Sequence, residues 1–187
     1  MTTIFSPRTR IKDALAAERE VSELCVKGWV RTVRRSKEVA FLALNDGSCF
    51  ASIQIVLEPT MHGFEEAARL GTGACVAIVG ALVPSPASGQ RWEVKAARVE
   101  ILGDADEDYP LQKKRHSLEY LRTIAHLRPR SNTFGAVFRV RSALSFAIHN
   151  FFRERGFLYV HTPIITANDC EGAGEMFRVT TLDPQKP

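Results

Sequence analysis

Cysteine is scarce and scattered in this chain. Four occur in 187 residues, Cys25, Cys49, Cys75 and Cys170, and no two form a Cys-x-x-Cys pair. Zinc-type ligand spacing and a dense disulfide framework are thereby excluded. Small, buried thiols in a reducing cytoplasm are expected instead. Long apolar runs are missing as well: nothing approaches the ~18 residues of a membrane span, and Met1–Arg8 has no apolar stretch of the signal-peptide kind. The expectation is a cytoplasmic protein with no membrane partner. No Gly-x-x-x-x-Gly-Lys-Ser/Thr sequence occurs, so a nucleotide site of the P-loop type is excluded. Internal repeats and low-complexity tracts are also absent.

What is present is ordinary in bulk and uneven in detail. Hydrophobic residues make up 45% and charged residues 25%, as in a globular protein, and the net charge of +4 hides local bias. Five basic residues and no acid lie between Lys27 and Lys37, and six basic residues against Glu119 alone lie between Lys113 and Arg130. Asp104-Ala105-Asp106-Glu107-Asp108 separates them. Such clusters suit a polyanion bound on one face; a solvated surface is the alternative.

The element pattern is strand-rich in its first half. Ile11 to Glu20 reads as a short helix, followed by strands over Leu24–Arg34, Val39–Leu44 and Phe50–Leu57, with Asn45-Asp46-Gly47-Ser48 as a hairpin turn. Phe64–Leu70 reads as a helix, and Ala74–Val83 and Trp92–Leu102 as two more strands. Gly28 inside the first strand predicts a bulge or sharp bend of the kind barrels need to close. Three strands, a helix and two strands is the order of a five-stranded OB-fold barrel; another small closed barrel is the alternative. Residues 104–133 read as a linker with a short helix at Ser117–Ala125. Phe134–Arg155 has an apolar stripe at helical spacing, Gly156 stops it, and Phe157–Ile165 reads as a strand, part of which Pro163 confines to an edge or interface.

Arg34 ends the first strand, Phe41 lies on the second and Gln54 on the third. The second and third strands of an OB-fold carry single-strand binding. An aromatic there stacks on an unpaired base, an amide offers a donor and an acceptor to a base edge, and a guanidinium pairs with phosphate or stacks. In the alternative account Phe41 is core, Gln54 faces solvent and Arg34 is surface charge.

Three stretches carry a family resemblance. Gly28-Trp29-Val30-Arg31-x-x-Arg34-Arg35, Phe41-Leu42-x-Leu44-x-Asp46-Gly47 and Gln54 resemble the anticodon-binding barrel of the aspartyl, asparaginyl and lysyl subclass of class II aminoacyl-tRNA synthetases. Arg155-Gly156-Phe157, Val160-x-x-Pro163 and Ile164-Ile165 resemble motif 1 of that class. Glu171-Gly172-Ala173-Gly174-Glu175-Met176-Phe177 resembles the amino-acid loop of the asparaginyl members; aspartyl members usually carry Pro-Glu-Gly-Ala-Arg there and lysyl members Gly-Gly-Ala.

The resemblance implies a domain plan and a set of roles. Residues 1–103 would form the OB-fold anticodon-binding domain, 104–133 a hinge, and 134–187 the start of an α+β class II catalytic domain. Phe41 would stack on the central anticodon uridine, Gln54 would read it, and Arg34 would contact the anticodon. Glu171 would bind the substrate ammonium beside Gly172, and Ile148, Phe151 and Pro163 would lie at a homodimer interface. The implied reaction is ATP-dependent activation of asparagine, with Mg2+, and transfer to tRNA-Asn. The motif 2 and motif 3 groups are expected beyond Pro187, so this chain is expected to hold no catalytic residue and to be inactive alone, with no cofactor of its own. The alternatives are a non-catalytic tRNA-binding paralogue, an aspartyl-type fragment and a generic single-strand-binding OB protein.

Overall fold

A computed structural model describes residues 7–36, 38–166, 172, 177 and 179–181. By contacts the chain divides into two compact units, residues 1–139 and 140–187.

The first unit is built on a closed barrel. Its strands are β1 (Val21–Arg35), β2 (Ala40–Asn45), β3 (Ile53–Leu57), β4 (Cys75–Pro84) and β5 (Trp92–Gly103), joined in the order β1-β2-β3-β5-β4. All neighbours are antiparallel except β3 and β5, which close the barrel in parallel through Gln54, Ile55 and Val56 against Glu93, Val94 and Lys95. This is the five-stranded OB-fold architecture expected from the sequence.

Period-two patterning explains the core. On β2, Ala40, Leu42 and Leu44 are buried while Phe41 and Ala43 face out; on β3, Ile53, Ile55 and Leu57 face in and Gln54 faces out. Val26, Val30, Val76, Ile78, Leu82 and Val94 complete the interior. Two short helices add to this core. Helix α2 (Phe64–Ala67) supplies Phe64 and Ala67, and α1 (Ile11–Leu15) supplies Ile11 and Ala14.

Helix α1 is fixed from outside its own sequence. The β2–β3 turn satisfies its free N-terminal groups: the Ile11 N–H donates to Asp46 Oδ2 at 3.1 Å and the Lys12 N–H to Ser48 Oγ at 3.0 Å. Beyond its far end, the Trp92 indole donates to the Ala17 carbonyl at 2.9 Å and Arg91 to the Glu18 carbonyl at 3.1 Å. These two bonds hold the chain off the helical path, so α1 ends at Leu15 and does not reach Glu20. The Asn45 amide similarly donates to the Cys49 and Ala51 carbonyls, which keeps Phe50–Ser52 in the turn and delays β3 to Ile53.

The predicted bulge in β1 exists at a different residue. Pairing with β2 shifts between Val30 and Thr32, at Arg31. Gly28 instead allows close approach: a Cβ there would lie 2.6 Å from the Asn45 carbonyl oxygen. Gly80 sits at a second shift, where a Cβ would overlap the Lys95 carbonyl.

After the barrel come α3 (Leu118–Thr123), capped by Ser117 Oγ on the Tyr120 N–H, a 3-10 turn at Arg128–Arg130, and α4 (Asn132–Arg153). Ser131 Oγ accepts from the Phe134 N–H at the α4 start. Gly156, at φ 82°, ends it with the paired bonds Phe157 N–H to Phe152 O and Gly156 N–H to Arg153 O, a Schellman closure. The strand expected at Phe157–Ile165 does not form. A strand needs a neighbour to take its backbone groups, the described residues pair none with it, and Pro163 has no N–H to give.

Two predictions test this arrangement. Asp46 is held below the ordinary carboxylate range: burial raises its pKa, but donation from the Ser48 hydroxyl, the Ser48 N–H and the Ile11 N–H outweighs burial. A depressed carboxylate stabilises the fold above its unfolded pKa, and that contribution is lost as pH falls through the depressed native value. Asp46→Ala should lose about 1 kcal/mol at neutral pH, as for a removed helix cap, and urea titrations of the two proteins should converge at acid pH. Gly80→Ala should cost about 1–3 kcal/mol by overpacking against Lys95, read as a lower urea midpoint with unchanged slope.

Candidate nucleic-acid interface

The three barrel residues singled out from the sequence come together on the outer face. Arg34 and Phe41 are direct cross-strand partners, with the guanidinium carbon 5.8 Å from the ring centroid. Arg34 Nη2 donates to Gln54 Oε1 at 3.0 Å. Arg34 is exposed, and Phe41 and Gln54 are half-buried, so Phe41 is not part of the interior core. The group therefore presents a ring face, an amide and a cation side by side, which is the equipment for an unpaired base and its phosphate.

A fourth residue, unmarked in the sequence, completes the cluster. Gln54 pairs with Glu93 across the parallel β3–β5 closure, and its Nε2 donates to Glu93 Oε2 at 3.1 Å. Ser85 Oγ donates to the same oxygen at 2.8 Å and accepts from Gln90 Nε2 at 2.6 Å. Glu93 is only 5% exposed because the β4–β5 loop covers it, although it lies on the outer side of its strand. A glutamate between Trp92 and Val94 gives no local sign of this; only the strand register brings it to Gln54.

The basic cluster of β1 is partly structural. Arg31, at the bulge, donates from Nη1 to the Arg130 carbonyl at 2.6 Å. Arg130 stacks on Trp29 at 4.3 Å and donates to the Tyr109 hydroxyl at 3.0 Å. The Tyr109 ring fills the space over Gly73, where a Cβ would lie 2.8 Å from it. Arg139 lies 4.5 Å from the Phe50 ring centroid and donates to the Gly47 carbonyl. Arg35 pairs with Glu65 at 2.8 Å. The segment after the barrel is thus tied to it by arginines whose charge pattern resembled a polyanion surface.

The remaining expected residues are less assembled. Along α4 only Gly135 is buried; Ile148 is 58% and Phe151 49% exposed, and Leu144 and Phe146 are open beside them. Pro163 is exposed in irregular chain. Gly172 has φ 63°, a conformation that favours glycine. Glu171 lies outside the described residues. Among the described residues no group of three or more His, Cys, Asp or Glu side chains is placed to hold a metal ion, and no helix is long and apolar enough to cross a membrane.

Comparison with known proteins agrees with the barrel fold. Residues 24–102 match the OB-fold nucleic acid binding domain, and residues 117–186 match the class II tRNA synthetases of the D, K and N type. The asparagine–tRNA ligase of Geobacter metallireducens is 69% identical over 183 residues, covering 98% of this chain and 40% of that protein. That of Geotalea uraniireducens is 67% identical over 180 residues, covering 96% and 39%. The asparaginyl-tRNA synthetase from Pyrococcus horikoshii complexed with asparaginyl-adenylate shares the fold at a TM-score of 0.81 and 22% identity, covering 93% of this chain and 40% of that one. The chain thus spans about 40% of the length of the curated relatives it matches. With two family matches in order and such identity along nearly its whole length, the chain carries an OB-fold nucleic acid binding segment followed by a class II tRNA synthetase (D, K and N) segment, and is similar throughout to the matching part of asparagine–tRNA ligases.

Proposed function

We propose that this chain carries the anticodon-reading part of an asparagine–tRNA ligase, which activates asparagine with ATP and transfers it to tRNA-Asn in the cytoplasm. The observation that carries the reading is the Arg34–Phe41–Gln54 cluster on an open barrel face, in a chain 69% identical to such a ligase. Phe41 stacks on the central anticodon uridine, Gln54 bonds its edge, and Arg34 meets the adjoining phosphate. Residues 1–103 form the reading domain, 104–133 the hinge and 134–187 the opening of the catalytic domain.

In this reading Glu171, beside Gly172, takes the asparagine ammonium through a charge-assisted hydrogen bond. ATP and Mg2+ belong to the whole enzyme. The described residues offer no cluster for the metal, and no step through it is assigned to them. The exposed face of α4 supports a homodimer in which Ile148 and Phe151, with Pro163, are covered by a second copy, since apolar patches of this kind favour association.

Binding to anticodon stem-loops at fixed salt tests the first part, because the phosphate term varies with salt and masks specificity. Replacing the central uridine by a purine should weaken binding, and Phe41→Ala should weaken it by about 1–3 kcal/mol. Equal binding to all loops would reduce the face to a general polyanion surface. Sedimentation tests the second part: the chain should associate with rising concentration, and Ile148→Glu with Phe151→Glu should hold it monomeric. A wild-type chain that stays monomeric at high concentration would remove the dimer face.

A further inference from the structure

Gln54 has one ambiguous property, the direction in which its amide faces, and its two neighbours remove the ambiguity. Arg34 has only donors, so it must meet the amide oxygen. The Glu93 carboxylate accepts, from the Ser85 hydroxyl as well, so it must meet the amide nitrogen. Reversing the amide would set NH2 against guanidinium and carbonyl against carboxylate, and both bonds would be lost. Each end of the amide nevertheless keeps spare capacity. Nε2 has a second N–H, and Oε1 has a second lone pair.

The direction matters because the two pyrimidines differ by it. On its pairing edge uracil presents O4 as acceptor beside N3–H as donor. Cytosine presents the N4 amino group as donor beside N3 as acceptor. A side-chain amide bonds either edge with two hydrogen bonds, but the base in one pose requires opposite amide directions for the two.

We propose that Glu93 is a positioning residue: by holding Gln54 in one direction, the buried carboxylate makes this face accept uracil and reject cytosine. This rests on the anticodon reading above. Glu93 is the stronger of the two anchors, being buried and bonded twice, whereas Arg34 is exposed on a flexible stem. A glutamine at position 93 has the same shape but both donates and accepts, so it permits either direction of Gln54.

The test compares stem-loops with uridine or cytidine at the central position, bound to the 187-residue chain at one salt concentration. Wild type should prefer uridine by at least about fivefold, the lower end for a two-bond base contact. Glu93→Gln should bring that ratio toward one, chiefly by tightening the cytidine loop, a gain that damage to the fold does not produce. Ser85→Ala, which leaves the carboxylate in place, should keep the preference. If wild type discriminates and Glu93→Gln retains its ratio, or if Ser85→Ala loses the ratio equally, the role of Glu93 is overturned while the anticodon reading stands. If wild type binds both loops and purine-substituted loops alike, the anticodon reading falls and this inference with it. An independent readout uses wild type alone: the Gln54 amide protons should show through-space NMR contacts to Ser85, and contacts to the Arg34 guanidinium instead would overturn the proposal.

Discussion

The short parallel pairing of β3 with β5 is the contact on which the rest depends. Three residue pairs close the barrel there, against ten between β4 and β5. Without that seam the inward faces of Ile53, Ile55 and Val94 meet water, and burial of such side chains is the main favourable term in folding. The same seam sets Gln54 opposite Glu93, so the residue that reads and the residue that orients it are neighbours because the barrel is closed. One constraint serves stability on the inner side of the sheet and chemistry on the outer side.

Charge on this protein is divided between two tasks that look alike in sequence. Arg34 and Arg31 lie three residues apart on β1. Arg34 stands over Phe41 with its guanidinium exposed, while Arg31 turns at the bulge to hold the Arg130 carbonyl. Unbroken alternation would set residues three apart on opposite faces; the register shift at Arg31 breaks it, so that Val33 packs against the core and Arg34 faces out beside Phe41. Counting basic residues between Lys27 and Lys37 therefore overstates the surface offered to a polyanion.

Element order and turn chemistry were legible in the sequence, because each is local: strand length and Asn-Asp-Gly-Ser. Phe41 stood there between an outer and a core position, and the alternation of β2 in the folded barrel decides for the outer one. Element ends were not, where distant side chains decide them, as Trp92 does for α1 and Asn45 does for β3. The Phe157–Ile165 stretch has the composition of a strand, but a strand is a relation between two segments, and composition supplies only one. Glu93 was invisible for a similar reason. Its role follows from the β3–β5 register and the covering loop, neither of which has a local signature.

A buried carboxylate is an expensive way to fill the space under the β4–β5 loop. Removing a charge from water costs several kcal/mol unless hydrogen bonds replace the lost hydration, and an apolar side chain of similar volume would satisfy the packing alone. Glu93 meets that condition through Ser85 and Gln54, and no buried side-chain polar atom among the described residues is left without a partner. The network is complete only in one arrangement of donors and acceptors, since neither a carboxylate nor a guanidinium can exchange roles. A leucine at 93 would leave Gln54 tethered by Arg34 alone, and an exposed guanidinium on a flexible stem follows its partner as readily as it directs it. The polar choice under the loop thus gives the amide above it a fixed polarity, which packing by apolar groups does not supply.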